Sequence, residues 1–546
     1  MMTLEDRQDC QDERGQVTGR GNRGVAAPHA HRQVGDHAVV MGAGMAGLVA
    51  ARVLADHFLR VTVIDRDHLP AGPTPRAGVP QSRHIHILLA RGMALLDQLF
   101  PGLEDELLAA GAVPIDFPGD ALWLSPAGWS QRFRPGLRLV SCTRPLLERS
   151  VRRRLAASAT VRFLEGQEAT GLTADDTTTA VTGVRLQTRP HPPAAAAADL
   201  VLPAALVIDA SGRSSRTTEW LGELGYPAPP ETTINPFLGY ATRTYARPKD
   251  ATGDWQLLYV QAKPPQMGRM GLLLPVEGDR WMVGLAGAGR DYPPIDEAGF
   301  LQFAASLRSP IIHDAIRHAR PLSPIHGYRQ TDNRWRHYEQ AQRFPERLIV
   351  LGDAACTFNP IYGQGLTMAA LAGVTLQRCL QAHFHTQAPG DLAGLASRTH
   401  RALAHPTAAV WLLATGEDLR YPTTEGARPT LRTRLMHRYL NRLGPVATAN
   451  RTVNAAFLEV ANLVRPPTAL FHPSVLLPTL RGAASPLRTP PMTAGWDAQS
   501  DDEAPTADKE PTSIGPARRE QTPSQQRNLW RVQQGRLRRD GGRPRG

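Results

Sequence analysis

Cysteine is scarce in this chain: four residues, Cys10, Cys142, Cys356 and Cys379, stand among 546, with no Cys-x-x-Cys pair and no metal-ligand spacing. A disulfide framework and a zinc site are therefore both excluded as organising features, and no metal is expected. Long hydrophobic runs are missing too. No stretch approaches the roughly 20 apolar residues that cross a bilayer, and no charged-then-apolar leader opens the chain, so a soluble cytoplasmic protein is expected. The formal net charge of +12 says little about the body of the molecule, because nine arginines against Glu520 and Asp540 between Ala517 and Gly546 supply +7 of it. That basic tail has one aromatic residue, Trp530, and so lacks the interleaved stacking surface of a single-strand binder. No specific nucleic-acid partner is expected. The tail reads as solvated disorder, with contact to an anionic membrane surface as the alternative.

The remaining chain can bury a large core, since 42% of its residues are hydrophobic. Residues 1–36 carry Gly, Arg, Asp and Gln without periodicity, and residues 483–546 are rich in Pro, Ser, Thr, Gln and Arg; both ends read as disordered arms. Between them lie two glycine-bearing motifs about 310 residues apart.

In the first, the apolar run Ala38 to Met41 reads as a buried parallel strand, and Gly42, Gly44 and Gly47 turn the chain into the helical spacing of Leu48, Val49, Ala50, Ala51, Val53 and Leu54. Gly42 suits the tight turn, Gly44 a close approach of backbone to a pyrophosphate, and Gly47 close packing of helix on sheet. The helix N-terminus offers free N–H groups and the positive dipole end to that pyrophosphate. A second apolar run, Val61 to Ile64, ends in Asp65, 23 residues after Gly42, where a carboxylate that accepts from ribose hydroxyls belongs. Arg66 beside it either flanks the adenosine end or is solvated.

In the second, Arg347 to Leu351 reads as another buried strand, Asp353 follows at its carboxyl end, Asn359-Pro360 breaks the chain, and Gly363-Gln364-Gly365 opens a helix through Leu366, Met368, Ala369, Leu371 and Val374. Strand, carboxylate, Pro turn and Gly-rich helix start resemble the second FAD fingerprint of the flavoprotein monooxygenases of the para-hydroxybenzoate hydroxylase fold. The resemblance implies that Asp353 contacts the ribityl and pyrophosphate part of FAD and that the backbone from Pro360 through Gly363, Gln364 and Gly365 lies along the isoalloxazine ring. Val207 to Arg216 is similar to the family's middle motif, linked to FAD and NAD(P)H together, although Ala210 and Ser211 separate Asp209 from Gly212. Ser141 to Leu147 resembles the segment from which an arginine, here Arg144, reaches the cofactor. The match runs from about residue 37 to 385 with its motifs in family order. Pro75 to His86, together with Asn359 to Gly365, looks like a bacterial subgroup that includes polyene epoxidases of polyether-antibiotic pathways.

The family resemblance implies an α/β chain with a Rossmann-like FAD-binding domain, an interleaved antiparallel-sheet substrate domain, and C-terminal helices. The boundaries expected are an FAD-binding domain in two parts, 37–225 and 336–389, around a substrate sheet at 226–335, then helices at 390–482. Met270 to Val276 and Arg280 to Ala286 flank Glu277-Gly278-Asp279 as a hairpin, with Pro236 to Thr242 as a further strand. Val410 to Leu413 and the cluster Ala455, Ala456, Phe457, Val460 and Leu463 read as a packing layer, with a membrane-surface helix and peripheral membrane contact as the alternative.

The chemistry so implied is monooxygenation: hydroxylation or epoxidation of a lipophilic small molecule by O2 through a C4a-hydroperoxyflavin. NADH or NADPH is the electron donor, delivered directly or through a separate flavin reductase. Alternatives are an isoprenoid double-bond reductase, whose Pro motif Leu272 to Pro275 echoes poorly, and a non-catalytic flavin-binding scaffold; a halogenase is disfavoured by the missing Trp-x-Trp-x-Ile-Pro segment. No catalytic side chain is certain. Arg76 is either a phosphate or NAD(P)H contact or a solvated arginine. His84 and His86, at i, i+2, would fall on different faces of a helix, either packed or acting near the flavin. Tyr362 either shapes the substrate pocket or is simply buried.

Overall fold

The computed structural model describes residues 35–188, 199–249, 253–482 and 487–491. The arm expected over residues 1–34 and most of the expected tail lie outside these. Gly35 and Asp36 do not belong to an arm, because the first strand begins at Gly35 and pairs there with Phe58. A side chain at Gly35 would strike the Phe58 ring, 2.5 Å from its ideal Cβ.

Five parallel strands form the central sheet, in the order Leu348–Val350, Leu206–Asp209, Gly35–Met41, Phe58–Asp65 and Val161–Glu165. Their Val- and Ile-rich sequences fit burial on both faces. On one face pack the helices Met45–Leu54, Arg144–Ala156 and Gly365–Thr386, through Leu48, Val49, Leu146 and Leu376. On the other, Val39, Met41, Val207 and Val350 meet Leu172, Val184 and Leu186 of a three-stranded antiparallel sheet.

A second large sheet has seven strands, in the order His326–Tyr328, Gly239–Ala246, Arg280–Gly287, Met270–Val276, Leu257–Val260, Ala121–Ser125 and Gly128–Trp129. The expected hairpin is present at Met270–Val276 and Arg280–Gly287. Alternation divides its side chains: Ala241, Leu258, Leu273, Val283 and Leu285 pack on Phe300, Phe303, Ile312 and Ile316 of two short helices. Tyr240, Tyr259 and Leu272 point the other way, into a cavity.

Two boundaries expected from sequence need correction. Ala121–Ser125 and Gly128–Trp129, placed within 37–225, are strands of this roof, joined by parallel pairing of Leu257 to Val260 with Ala121 to Leu124. The boundary at 335/336 cuts the strand Asn333–Arg336, which pairs with Glu231–Ile234 and with Cys356–Thr357. Short strands that pair far along the chain carry no local signal of partner.

The C-terminal region is helical as expected, over Leu395–Asp418, Leu431–Ala449, Arg451–Ala461 and Pro473–Arg481. Its apolar residues close the fold: Val410 packs with Phe358 and Cys356, and Val453, Ala456 and Val460 pack with Leu443, Val446 and Leu470. Among the described residues no helix is long and apolar enough to cross a membrane.

Candidate cofactor and substrate site

A cavity of about 820 Å3 lies between the carboxyl ends of the parallel strands and the seven-stranded roof. Gly42, Gly44, Asp65, Arg66, Arg76, Arg144, Asp353, Pro360, Gly363 and Gly365 all line it, although they are spread over more than 300 residues of chain. Gly47 and Gln364 stand behind this wall.

The glycines of the first motif do separate jobs. Gly42 has φ +100, and a Cβ there would sit 2.5 Å from the Ala210 carbonyl oxygen. At Gly47 a Cβ would fall 1.8 Å from the Gly42 carbonyl oxygen, so any side chain there breaks the turn. Gly44 differs: its Cβ would meet nothing within 4 Å. It is also the N-cap of the helix Met45–Leu54 and supplies no capping side chain, so the helix start presents bare N–H groups to an open space. Gly365, at the start of the second helix, is open in the same way.

Asp65 ties this wall together. Its Oδ2 accepts from the Ala43 N–H at 2.8 Å, and its Oδ1 from the Asp67 N–H at 2.9 Å and from Arg76 at 2.8 Å. Arg76 is not a solvated arginine: it is buried, with Asp67 at 2.9 Å and Glu148 at 3.9 Å as further partners. Burial works against its charge, but Asp65, Glu148 and Asp67 outweigh that and raise its pKa above the usual guanidinium value. Its charge is matched within the fold, while its buried Nε has no hydrogen-bond partner among the described residues.

Glu148 carries the chain of charges onward by accepting from Arg144 Nε at 2.7 Å. Arg144 Nη1 donates to His86 Nε2 at 3.2 Å, and His86 Nδ1 donates to the His84 carbonyl at 3.0 Å. These contacts fix the His86 tautomer. Helix Arg144–Ala156 is itself anchored by Thr143, whose hydroxyl and N–H donate to Glu277 of the roof hairpin at 2.6 and 3.0 Å.

His84 and His86 are not on a helix. The chain makes a 3-10 turn over Pro80–Arg83 and is then irregular, because Pro80 suits a turn start and the following residues wedge under the roof. Burial, helped by His326 and Arg83, takes the His84 pKa down to about 4, and burial with Arg144 takes His86 down to about 3. His84 Nδ1 lies 3.0 Å from the Thr242 hydroxyl. Both rings are neutral at pH 7 and serve as hydrogen-bonding wall. His400, which accepts the Val350 N–H at 3.0 Å, is lowered to about 3 by burial.

A pH dependence of stability follows. The unfolded chain protonates these three rings near pH 6.5 and the folded chain refuses those protons, so folding loses free energy as pH drops from about 6.5 towards 4. Asp418, raised to about 6 by burial, pulls the other way together with Asp353 and Asp116, while His37 and His326, both lowered by burial, add to the loss. The thermal midpoint is expected to fall through that window; a midpoint that rises towards pH 4 would contradict this picture.

Asp353 is the one carboxylate here without a partner among the described residues, and its side chain opens into the cavity. Desolvation within the cavity raises its pKa, while Arg144 and Arg213 act in the opposite sense. Gln364 Oε1, buried behind the loop, also lacks a partner.

The middle motif is a clasp. Asp209 Oδ1 accepts from Ser211 N–H and hydroxyl at 2.9 and 2.6 Å, and Oδ2 from Ser215 and Thr217 at 2.5 and 2.6 Å. Arg213 faces Asp332 at 2.7 Å.

Sequence reasoning missed Asp418. This residue, 1% exposed at the end of helix Leu395–Asp418, accepts from Asn333 at 2.6 Å, Asn359 at 3.0 Å and the Tyr362 hydroxyl at 2.7 Å. It pins the Asn359 to Gly363 loop from behind, and Tyr362 turns to it rather than lining the cavity. An acid in a polar Gly-Glu-Asp run gives no signal of such a partner.

Open glycines, bare helix starts and an unpartnered carboxylate fit a dinucleotide carrying phosphates and hydroxyls, as FAD does. The comparisons agree. The FAD binding domain family matches residues 36–411. Protein Rv3254 of Mycobacterium tuberculosis is 33% identical over 390 residues, covering 71% of this chain and 81% of that protein. Among solved structures, PqsL of Pseudomonas aeruginosa, described as a probable FAD-dependent monooxygenase, has a TM-score of 0.50 at 17% identity, covering 71% of this chain and 97% of its own. The myxobacterial chondrochloren halogenase CndH gives 0.52 at 16%, covering 82% and 96%. At such identities these two share the fold.

Proposed function

This chain belongs to the FAD binding domain family, and from that premise we propose that this FAD-dependent oxidoreductase is a monooxygenase that hydroxylates or epoxidises a neutral, hydrophobic small molecule. The carrying observation is how charge divides along one continuous cavity. Asp65, Arg66, Arg76, Arg144, Arg213, Arg334 and Asp353 gather on the FAD-binding side, whereas Ile85, Ile87, Tyr259, Met270, Leu272 and Ile361 line the roof side. FAD, when bound, supplies the activation of O2. In the overall balance NADH or NADPH gives a hydride, one oxygen atom enters the substrate and the other leaves as water.

The chain's own residues hold and shield. Asp353 accepts from the cofactor's hydroxyls, the helix starts at Gly44 and Gly365 face its negative groups, and the apolar roof excludes water from the reacting centre. No neutral histidine is required as an acid. The test is incubation of FAD-loaded protein with NADH or NADPH, a flavin reductase and 18O2 across polyenes and fused aromatics. A product gaining one labelled atom supports the reading; reduction of a double bond without label would favour the isoprenoid-reductase alternative.

A further inference from the structure

The roof carries one row of side chains that sets which way a hydrogen bond points. Trp123, Tyr259 and Leu272 are register neighbours on three adjacent strands and so share a face. Trp123 Nε1 donates to Gln261 Oε1 at 2.9 Å. An indole N–H has no acceptor capacity, so the Gln261 oxygen must face Trp123 and its amide nitrogen must face the other way. That nitrogen lies 3.2 Å from the Tyr259 hydroxyl, and donates to it.

The consequence falls on Tyr259. Its oxygen is already an acceptor, so its own proton must point elsewhere, and no acceptor for it stands among the described residues. The side chain lines the cavity, as do the apolar Met270, Leu272 and Ile361. Burial raises its pKa above the usual 10, so the phenol keeps its proton. Tyr240 also lines the cavity, but lies three strands away across the roof, about 14 Å at normal strand spacing.

We propose that Tyr259 is a specificity-determining residue that donates one hydrogen bond to an acceptor oxygen, a carbonyl or ether, on an otherwise apolar substrate. This deepens the proposed function and rests on the roof side of the cavity being the substrate site. A hydrocarbon bound there would bury the Tyr259 proton without a partner, and such a loss is what lets a polar site reject an analogue lacking its oxygen.

The test uses oxidised, FAD-loaded protein and no turnover, so it succeeds or fails independently of oxygenation. Dissociation constants for 2-acetonaphthone and 2-ethylnaphthalene are read from perturbation of the flavin absorbance. Wild-type protein is expected to prefer the ketone about tenfold, and Tyr259→Phe to lose that preference by weakening the ketone. Gln261→Glu, which accepts from both Trp123 and Tyr259, turns the phenol proton away from the cavity and is expected to abolish the preference with Tyr259 still in place. Flavin content and thermal midpoint check that each variant is folded. Equal affinity for the two ligands in the wild type, or a ketone preference that survives Tyr259→Phe, overturns the proposal.

Discussion

Gly44→Val is expected to fold and yet to emerge from purification colourless. The backbone at Gly44, φ −75 and ψ 174, is an extended conformation that valine adopts freely, and its Cβ would meet nothing within 4 Å. No protein atom is displaced. The new methyl groups instead fill the space in front of the helix Met45–Leu54, where a pyrophosphate would approach bare N–H groups. Losing charge-assisted bonds of about 1.5–3 kcal/mol each lowers FAD affinity on the order of a thousandfold, roughly 4 kcal/mol. Flavin-fluorescence titration beside a thermal melt separates this from misfolding. Gly47→Val is the contrast: its side chain would overlap the Gly42 carbonyl, so it should fail to fold. A Gly44→Val protein that binds FAD normally would mean that the pyrophosphate lies elsewhere.

Asp418→Ala should damage the flavin site from outside the cavity. The carboxylate receives hydrogen bonds from Asn333, Asn359 and Tyr362 at 2.6, 3.0 and 2.7 Å, all in a buried cluster. Removing it strands three donors, and breaking a buried network of this kind costs about 3–5 kcal/mol. Some of that loss falls on the loop from Asn359 to Gly363, so FAD should dissociate faster and the visible flavin bands lose resolution. Asp418→Asn keeps an acceptor oxygen and should recover much of the binding. If Asp418→Ala melts like wild type and releases FAD no faster, the loop is not held by this residue.

The dinucleotide half of the molecule was legible because its signals are local. Strand, turn, helix and carboxylate follow one another within the 31 residues from Gly35 to Asp65, where Gly42 and Gly47 answer steric demands visible in the backbone and Gly44 leaves open space at the helix start. The hairpin at Met270–Gly287 was legible for the same reason. The strand Ala121–Ser125, by contrast, reads as part of the first domain until its partner at Leu257–Val260 is known. Arg76 has three acidic partners at 65, 67 and 148, the last of them 72 residues distant, and no spacing rule reaches across such a gap. Asp418 and the Trp123, Gln261, Tyr259 relay were hidden likewise, since side-chain pairing across a folded sheet leaves no trace in the order of residues.

The most direct test of the central claim is rapid mixing of anaerobically reduced, FAD-loaded protein with O2 while a neutral ketone ligand is bound. An absorbance transient distinct from both oxidised and reduced flavin is expected, decaying to oxidised flavin as an oxygenated product forms. Direct reoxidation with a full equivalent of hydrogen peroxide and no product, with the ligand demonstrably bound, would contradict it.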